Sequence, residues 1–379
     1  MPAQADAAGQ RPLTILTVIA PHRYSGAERI AVTLAEGLSD RGHRVVFACK
    51  HQEQFVAEMT RRGLECASTR ISGKVSPASL YRVARIARDV KADIIHTHLS
   101  TGAWWGSFAG RLLGIPVLAH VHALNTKTCF VYADMLAACS RGVKDHMVSQ
   151  GVPEERVRVI YNGIDAGRLT DLRPIPDVRA DLGLTDGEPV VGVAAHLTPK
   201  KGQRYVIEAA ALLTQKRPDL LCYLVGEGDQ YEELRSLAES LGVSDRIRFT
   251  GYRPDAQDLM QAMDIVILPS VAKEGLGVCL VEAGAVGKPV IGSNAPGINE
   301  VIADGETGVL VQPANAQALA EAMDRLIGDP ELRRRMGEAG RRRVLEVFTL
   351  RHMVDQTEAL YREMITSKTG RNRPSGREH

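Results

Sequence analysis

The sequence predicts an α/β fold of two doubly wound domains that face a central cleft, each built on a parallel sheet. Two observations predict it. Short apolar runs alternate with helical patterns in two series, and a stretch rich in Pro, Asp and Gly, residues 162–187, lies between the series and is the predicted linker. A chain of 379 residues is long enough for two cores. In such sheets ligands bind beyond the carboxyl ends of the strands, so we look for the site there.

The first series contains six apolar runs that we predict to be buried strands. They are residues 13–19, 44–48, 93–96, 117–121, 135–139 and 157–161. Between the first two runs, apolar residues recur at helical spacing from Ala27 to Leu38, and Gly42 follows them. This order of elements is typical of a βαβ unit.

The second series contains five predicted strands. They are residues 190–194, 221–225, 247–249, 264–268 and 289–292. We therefore predict a first domain over residues 1–170, a second over 171–348, a last helix over 349–366 and a basic tail over 367–379.

Composition excludes several classes of function. With 44% hydrophobic and 24% charged residues and a net charge of +2, the chain has no general attraction for nucleic acid. Its six cysteines form no CxxC pair, so they are predicted to be buried thiols of a reducing cytoplasm.

The apolar stretch 13–20 is too short to cross a bilayer. Without an Asp-x-Asp segment or an evident His/carboxylate cluster, we expect no metal and no other cofactor.

Residues 270–311 hold the most informative pattern. Glu274 and Glu282 flank a Gly-containing loop and a predicted helix start, where free amides favour a phosphate. If most of the interval were helical, the carboxylates would lie roughly 12 Å apart, a spacing that suits a nucleotide-sugar. We expect Glu274 on an open ligand loop rather than in a core. Taken alone, a solvated carboxylate and a salt-bridged helix residue would explain the pair as well.

This segment, with its Lys288-Pro289-Val290-Ile291 strand, resembles the retaining GT-B glycosyltransferases of family 4, and the resemblance extends from about Leu13 to Tyr361. It implies two Rossmann-like domains, a last helix that crosses back to the first domain, and no metal. It also implies transfer from a nucleotide-sugar, a UDP-sugar in our interpretation, to a glycan or lipid-linked acceptor in polysaccharide or lipopolysaccharide synthesis. The expected location is the cytoplasm or the inner face of the membrane.

The resemblance assigns roles in the second domain. Glu274 and the amides of Leu276 and Gly277 would hold the donor sugar, and Glu282 would bind the ribose. Lys201 matches the lysine that neutralises the diphosphate. His196 stands where the family has arginine, so either a cationic imidazole or Lys200 takes over that charge, or His196 only packs at the domain edge.

In the first domain the resemblance assigns the Gly26 loop to the donor, with Ser25 in place of the family's first glycine. Ser25 and Glu28 also have the spacing of a capping box. His120 and His122 lie two apart on a predicted strand, so they face the same way. By resemblance, His122 touches the sugar or the acceptor, whereas His96, His98 and His120 are interpreted as ordinary core residues.

A dinucleotide fingerprint is incomplete in this chain. Gly226 and Gly228 follow a strand, but Tyr231 occupies the position of the third glycine. By resemblance, these glycines and Tyr252 border the nucleoside instead. A dinucleotide-dependent oxidoreductase is therefore the least favoured alternative.

Three further hypotheses stay open at this stage. The chain could be an epimerase of nucleotide-sugars, which would need no acceptor, or a non-catalytic nucleotide-sugar-binding protein, which His196 in place of arginine would suit. The arginine clusters 333–335 and 341–343 and the basic tail could bind an anionic membrane, although a solvated helix face explains the clusters as well.

Overall fold

The computed structural model describes residues 11–371 except 23, 25, 72, 74–75, 186 and 273, and the backbone alone for 369–371. The chain divides into two compact units. The first comprises the residues up to Cys139, Lys144–Ile160 and those from Leu350 onward, and the second comprises Ser140–Val143 and Tyr161–Thr349. Each unit has a parallel sheet and a core of its own.

The first unit is built on a parallel sheet with strand order β3-β2-β1-β4-β5-β6-β7. The strands are β1 Thr14–Ile19, β2 Arg44–Lys50, β3 Glu65–Thr69, β4 Ile94–His98, β5 Val117–Val121, β6 Met135–Ala138 and β7 Val157–Val159. All six predicted strands are present. The sequence did not predict β3, because this edge strand is only half-buried and carries few large apolar residues.

The helices of the first unit pack on both faces of this sheet. They are α1 Gly26–Ser39, α2 Glu53–Arg61, α3 Pro77–Asp89, α4 Ser100–Leu113, most of α5 Arg141–Ser149, and α14 Leu350–Arg371. Ser76 caps α3 by accepting a hydrogen bond from the amide of Ser79 at 3.2 Å, and Pro77 follows it. These caps fix the start of a helix that packs against α4.

Helix α4 lies close to the sheet because small residues face the strands. Gly102, Gly106 and Gly110 recur at a spacing of four, and a Cβ on Gly102 would lie 2.6 Å from the carbonyl oxygen of Val18. On the other face of the sheet, α14 contributes Tyr361, which is fully buried. The residues of β4 therefore alternate between a face under α4 and a face under α14.

The second unit is built on a parallel sheet with strand order β10-β9-β8-β11-β12-β13. The strands are β8 Val190–Ala194, β9 Leu221–Val225, β10 Ile247–Gly251, β11 Ile265–Leu268, β12 Val290–Ser293 and β13 Gly308–Val311. All five predicted strands are present, and β13 at the edge was not predicted.

The helices of the second unit surround that sheet. They are α6 Ile175–Asp181, α7 Gln203–Leu212, α8 Tyr231–Ser240, α9 Ala256–Ala262, α10 Val278–Ala285, α11 Ile298–Val301, α12 Ala316–Gly328 and α13 Pro330–Val347. Residues 162–187, which we expected to be a linker, include α6, and this helix packs against α9 with Val178 buried. The segment is therefore part of the second unit.

The basic residues near the end of the chain are largely occupied by internal contacts. Arg333 donates to the carbonyl oxygens of Leu326 and Ile327, and Arg334 forms ion pairs with Glu331 and Glu338. Helix α14 extends into the predicted basic tail as far as Arg371, and residues 372–379 lie outside the described residues. None of the helices described combines the length and apolar character that a bilayer crossing requires.

Candidate functional site

The candidate site of the second unit lies where the order of the strands reverses. The chain moves outward from β8 to β9 and β10 on one side, and then from β11 to β12 and β13 on the other. Strands β8 and β11 are neighbours, and the chain that leaves them continues to opposite edges of the sheet. Such a switch point is the usual ligand position in an open α/β sheet. Lys201 follows β8, and Glu274 follows β11.

Lys201 and Glu274 form the centre of this site. The Lys201 Nζ lies 3.0 Å from one carboxylate oxygen of Glu274, and the Lys200 Nζ lies 3.5 Å from the other. The Ser270 hydroxyl donates a hydrogen bond of 2.7 Å to the same carboxylate. One buried carboxylate thus holds two ammonium groups at the end of the sheet.

Glu274 is only 5% exposed, so our expectation of an open ligand loop was wrong. The loop folds inward because neighbouring backbone covers it. The Glu274 amide donates to the carbonyl oxygen of Pro296 at 3.2 Å, and a Cβ on Gly297 would lie 2.7 Å from the Glu274 carbonyl oxygen. A buried carboxylate needs a partner, and the two lysines supply it.

The loops after β8 and β11 are joined to each other. The Val271 amide donates to the carbonyl oxygen of Lys200 at 2.9 Å. A Cβ on Gly202 would clash with the carbonyl of Pro269, so glycine is needed for this close approach. The backbone therefore holds the two lysines beside the Glu274 loop.

Helix α10 begins beside this pair. Gly277 has φ 71°, a left-handed conformation that favours glycine, and Leu276 before it is buried. The helix begins at Val278, so the three residues 275–277 between the two glutamates lie outside it and the four residues 278–281 lie within it. Glu282 is buried in the second turn and accepts a hydrogen bond of 3.4 Å from Gln257.

Cys279 connects the charged residues of the site. Burial raises the pKa of its thiol to about 12, and Lys201, Glu282 and Glu274 all lie close enough to act on it electrostatically. Lys201 and Glu274 therefore contact each other, and Glu282 lies in the second turn of α10.

The residues predicted to border the nucleoside occupy the adjoining strand ends. Gly226 donates its amide to the Gly251 carbonyl at 2.9 Å, and its φ of 144° favours glycine. A Cβ on Gly228 would clash with the carbonyl of Leu197, so this turn packs on the loop after β8. Tyr252 follows the edge strand β10 and is 53% exposed.

His196 lies between β8 and the two lysines and is half-buried. Its carbonyl oxygen accepts a hydrogen bond of 2.9 Å from the buried side chain of Gln203. This contact fixes the backbone of His196 in the loop that also carries Lys201.

The corresponding switch point of the first unit lies between β1 and β4. Gly26 begins α1 after β1, and a Cβ on it would have no atom within 4 Å, so packing does not require glycine there. Ser25, the first residue of the predicted capping box, lies outside the described residues, and Glu28 is buried.

Four histidines form a stacked column at the ends of β4 and β5. His98 pairs with His120 in the strand register, and His96 and His122 extend the column in opposite directions. The rings of His120 and His122 are stacked at 4.3 Å with an interplanar angle of 1°, which confirms that they face the same way. Strand β5 ends at Val121, so His122 lies just beyond it.

Hydrogen bonds hold both ends of this histidine column. His98 Nδ1 lies 2.8 Å from His122 Nε2, and His96 Nδ1 lies 2.5 Å from the Tyr361 hydroxyl. Burial, reinforced by the neighbouring histidines, lowers the pKa of His96, His98 and His122 well below its usual value. These three histidines are therefore uncharged at neutral pH.

Within the described residues, the group with suitable side chains for a metal is His96, His98 and His120, each offering one ligand atom within 4.8 Å of the others. The sequence did not predict this group, because the strand register is needed to bring the two pairs together. A tetrahedral Zn²⁺ with Zn–N bonds of about 2.0–2.1 Å requires nitrogens roughly 3.3 Å apart whose lone pairs converge. The rings of His96 and His120 are instead stacked at 15°. This geometry favours a hydrogen-bonded column.

Comparison with known proteins identifies the family. The family model Glycosyl transferases group 1 matches residues 174–343, and Glycosyltransferase Family 4 matches residues 24–168. The crystal structure of Anabaena HepE in complex with UDP-glucose superimposes with a TM-score of 0.83 at 25% identity, covering 94% of this chain and 100% of that one. The chain is a GT-B glycosyltransferase of the family 4 type.

Two characterised relatives of this glycosyltransferase span nearly the same length. The lipopolysaccharide core biosynthesis glycosyltransferase LpsE of Rhizobium meliloti is 27% identical over 354 residues, which are 90% of this chain and 96% of the relative. The UDP-Gal:alpha-D-GlcNAc-diphosphoundecaprenol alpha-1,3-galactosyltransferase of Escherichia coli is 26% identical over 312 residues, 76% of this chain and 80% of the relative.

The glycosyltransferase contains site residues that the sequence did not single out. Ser270 follows β11 at the switch point, and its hydroxyl points to the Glu274 carboxylate. Tyr361 on α14 contacts the histidine column at His96, and His98 within the column contacts His122. Only the His-x-His spacing at positions 96–98 and 120–122 could have signalled the column.

Proposed function

We propose that this glycosyltransferase transfers a hexosyl group with retention of configuration, from a UDP-sugar to a hydroxyl of a glycan or lipid-linked acceptor. Its products would belong to cell-surface polysaccharide or lipopolysaccharide, and the reaction would take place in the cytoplasm or at the inner face of the membrane. The contact between Lys201 and Glu274 at the switch point carries this proposal.

Lys201 would stabilise the departing diphosphate. Its side chain is 22% exposed, so a ligand could reach the ammonium group that pairs with Glu274. Negative charge develops on the β-phosphate as the glycosidic bond of the donor breaks, and a fixed cation there lowers the barrier. Lys200 would keep the Glu274 carboxylate paired when Lys201 turns to the phosphate.

Glu274 would have two tasks. It holds the ammonium groups in place, and its acceptor lone pairs bind hydroxyls of the transferred sugar, together with the amides of Leu276 and Gly277. Glu282 would bind the ribose hydroxyls from the second turn of α10. Gly226, Gly228 and Tyr252 would border the base at the adjoining strand ends.

His122 and Gly26 in the first unit, together with His196, would complete the machinery. An uncharged imidazole at His122 can accept or donate one hydrogen bond to a sugar or acceptor hydroxyl without attracting the diphosphate. The departing phosphate would take the acceptor's proton on the face of the sugar that it leaves. No protein carboxylate would then act as the nucleophile.

The UDP donor is supported by two similar proteins. HepE has been crystallised with UDP-glucose, and the Escherichia coli relative is named for UDP-Gal. Both proteins match most of the length of this glycosyltransferase, so we propose UDP as the nucleotide of its donor. The experiment below identifies the sugar.

A panel of nucleotide-sugars screened for thermal stabilisation would identify the donor, because a ligand that binds the folded state raises Tm. The stabilising donor would then be incubated with lipid-linked and free glycan acceptors, and the product's anomeric configuration would be read by NMR. A product of retained configuration supports the proposal, and an inverted one contradicts it. A new sugar formed without acceptor would indicate an epimerase, and tight binding without turnover a non-catalytic binding protein.

Metal independence is tested in the same assay. If protein cations alone stabilise the diphosphate, the transfer rate after EDTA treatment should equal the transfer rate in the presence of Mg²⁺. A rate that falls with EDTA and is restored by one divalent ion would contradict this part of the proposal.

A further inference from the structure

Two cysteines of the first unit lie next to each other on neighbouring strands. The Sγ atoms of Cys49 on β2 and Cys66 on β3 are 3.3 Å apart. In the parallel register Cys66 lies opposite Phe47 and Cys49 opposite Ser68, so both thiols project from the same face of the sheet. The sequence alone did not pair them, because they belong to different strands and form no CxxC motif.

The two thiols differ in access to solvent. Cys49 on β2 is fully buried in the core of the first unit, whereas Cys66 on the edge strand β3 is half-buried. A small oxidant from solvent can therefore reach Cys66 first. Cys49 is positioned behind it, in contact.

The two thiols also differ in acidity. Their shared hydrogen bond lowers the pKa of Cys66 and, together with burial, raises the pKa of Cys49. Cys66 is therefore the more acidic of the two thiols and the one more readily converted to a thiolate. A thiolate of low pKa that is accessible and adjacent to a second thiol is typical of peroxide-reactive sites.

We propose that Cys49 and Cys66 form a peroxide-reactive dithiol that closes to a disulfide between β2 and β3. The Cys66 thiolate attacks one oxygen of hydrogen peroxide and the O–O bond breaks. The Cys66 sulfur becomes a sulfenic acid, and the other oxygen leaves as hydroxide and becomes water. The Cys49 sulfur then attacks the Cys66 sulfur and expels the second oxygen as water. Overall, two thiols and one peroxide give one disulfide and two waters.

Closure requires a movement of the sulfurs and of the edge strand. A disulfide has an S–S bond of about 2.05 Å, so the sulfurs must approach each other from their present 3.3 Å. Because Cys49 and Cys66 are diagonal rather than directly opposite in the register, β3, which pairs with β2 on one side only, must also slide along β2. The closed bond would tie this edge strand to the core of the first unit.

Cys279 is the matched comparison within the chain. It is also partly exposed, but burial raises the pKa of its thiol to about 12, whereas the pKa of Cys66 is lowered. The two cysteines therefore differ mainly in thiolate character. At neutral pH a peroxide should modify Cys66 and leave Cys279 reduced.

The experiment treats the full chain with a small excess of hydrogen peroxide at pH 7, quenches it with iodoacetamide under denaturing conditions, and maps the peptides by mass spectrometry. We expect a linked peptide containing Cys49 and Cys66, a fall in titratable thiols from six to four, and reversal by dithiothreitol. In C49S, dimedone should trap a sulfenic acid at Cys66. C279S should behave as the wild type.

Two results would overturn the proposal. One is a wild-type map in which Cys66 stays reduced at a peroxide dose that modifies Cys279. The other is a Cys66 sulfenic acid that accumulates in the wild type without the linked peptide. The wild-type map needs no variant to fold, and circular dichroism of C49S would show whether that variant does.

Discussion

The two units of this glycosyltransferase share one architecture and carry opposite chemistry at their switch points. In the second unit two lysines surround a buried carboxylate, so the site is built from full charges. In the first unit four histidines form a column at the ends of β4 and β5, and three of them have pKa values well below the usual range and are uncharged at neutral pH. The same end of a parallel sheet can therefore carry full charges or neutral imidazoles. The side chains after the strands decide this.

The largest effect is expected at Lys201, whose positive charge is proposed to stabilise the departing diphosphate. Lys201→Met should lower the transfer rate about 10²- to 10³-fold, because it removes the cation that faces the developing charge. Lys200→Met is the matched control: its ammonium is farther from Glu274 and more exposed, so the loss should stay within about 10-fold. Steady-state rates with the donor identified by thermal shift would measure both. Equal losses in the two variants would contradict the assignment of Lys201.

Glu274→Gln should produce the next largest effect. This variant tests the two proposed roles of Glu274, which are to bind the donor sugar and to pair with the two lysines. The amide keeps the shape and the Ser270 contact but loses the charge that pairs with two ammonium groups. We expect a transfer rate lowered about 10²-fold and a lower Tm, since two cations lose their buried partner. Glu282→Gln, which leaves the lysines paired, should weaken donor binding with little change in Tm. A Glu274→Gln variant with wild-type activity would remove the central residue from the site.

Much of this comparison could be predicted from the sequence, and the failures have physical causes. The apolar runs that form central strands were readable, whereas β3 and β13 at the sheet edges bury too little to leave a pattern. The resemblance singled out Glu274 and Lys201, but it did not predict that their side chains are in contact. Their contact depends on β8 and β11 being neighbours, which periodicity does not encode. The histidine column was missed for the same reason.

A third prediction concerns the support of His122 in the first unit. His98 holds the His122 ring through one hydrogen bond of 2.8 Å. His98→Phe should lower kcat by about 10-fold, the equivalent of one hydrogen bond of about 1.4 kcal/mol, with donor KM unchanged. His98→Asn, which can still form a hydrogen bond, should restore part of the rate. If both variants match the wild type, the His98 contact has no part in positioning His122.

The uncharged column also predicts how the stability of the first unit depends on pH. The histidines have a lowered pKa in the folded state and one near ~6.5 when unfolded, so below that value the unfolded chain binds more protons. Their stabilising contribution is complete above pH ~6.5 and decreases as the pH falls. Each histidine that stays neutral in the folded state should lower the free energy of unfolding by about 1.4 kcal/mol for each pH unit in this range.

Fluorescence can measure this effect in the first unit alone, because both tryptophans, Trp104 and Trp105, lie in α4. The urea midpoint followed by their emission should fall between pH 7 and 5. His51→Gln, at an exposed position, should leave the slope unchanged, whereas His98→Asn should reduce it. A midpoint that is constant over this range would mean that the column accepts protons without loss of structure.

The smallest effect is expected at His196, where the charged site of the second unit contains a group that can lose its charge. If the imidazole assists Lys201 at the diphosphate, transfer should decline between about pH 6 and 8 as imidazoles lose their proton. His196→Arg carries a permanent charge and should flatten that decline by a few-fold at pH 8. His196→Gln should lower the rate at pH 6 toward its value at pH 8. Three superimposable pH profiles would contradict a role for the His196 charge and return the residue to a packing role.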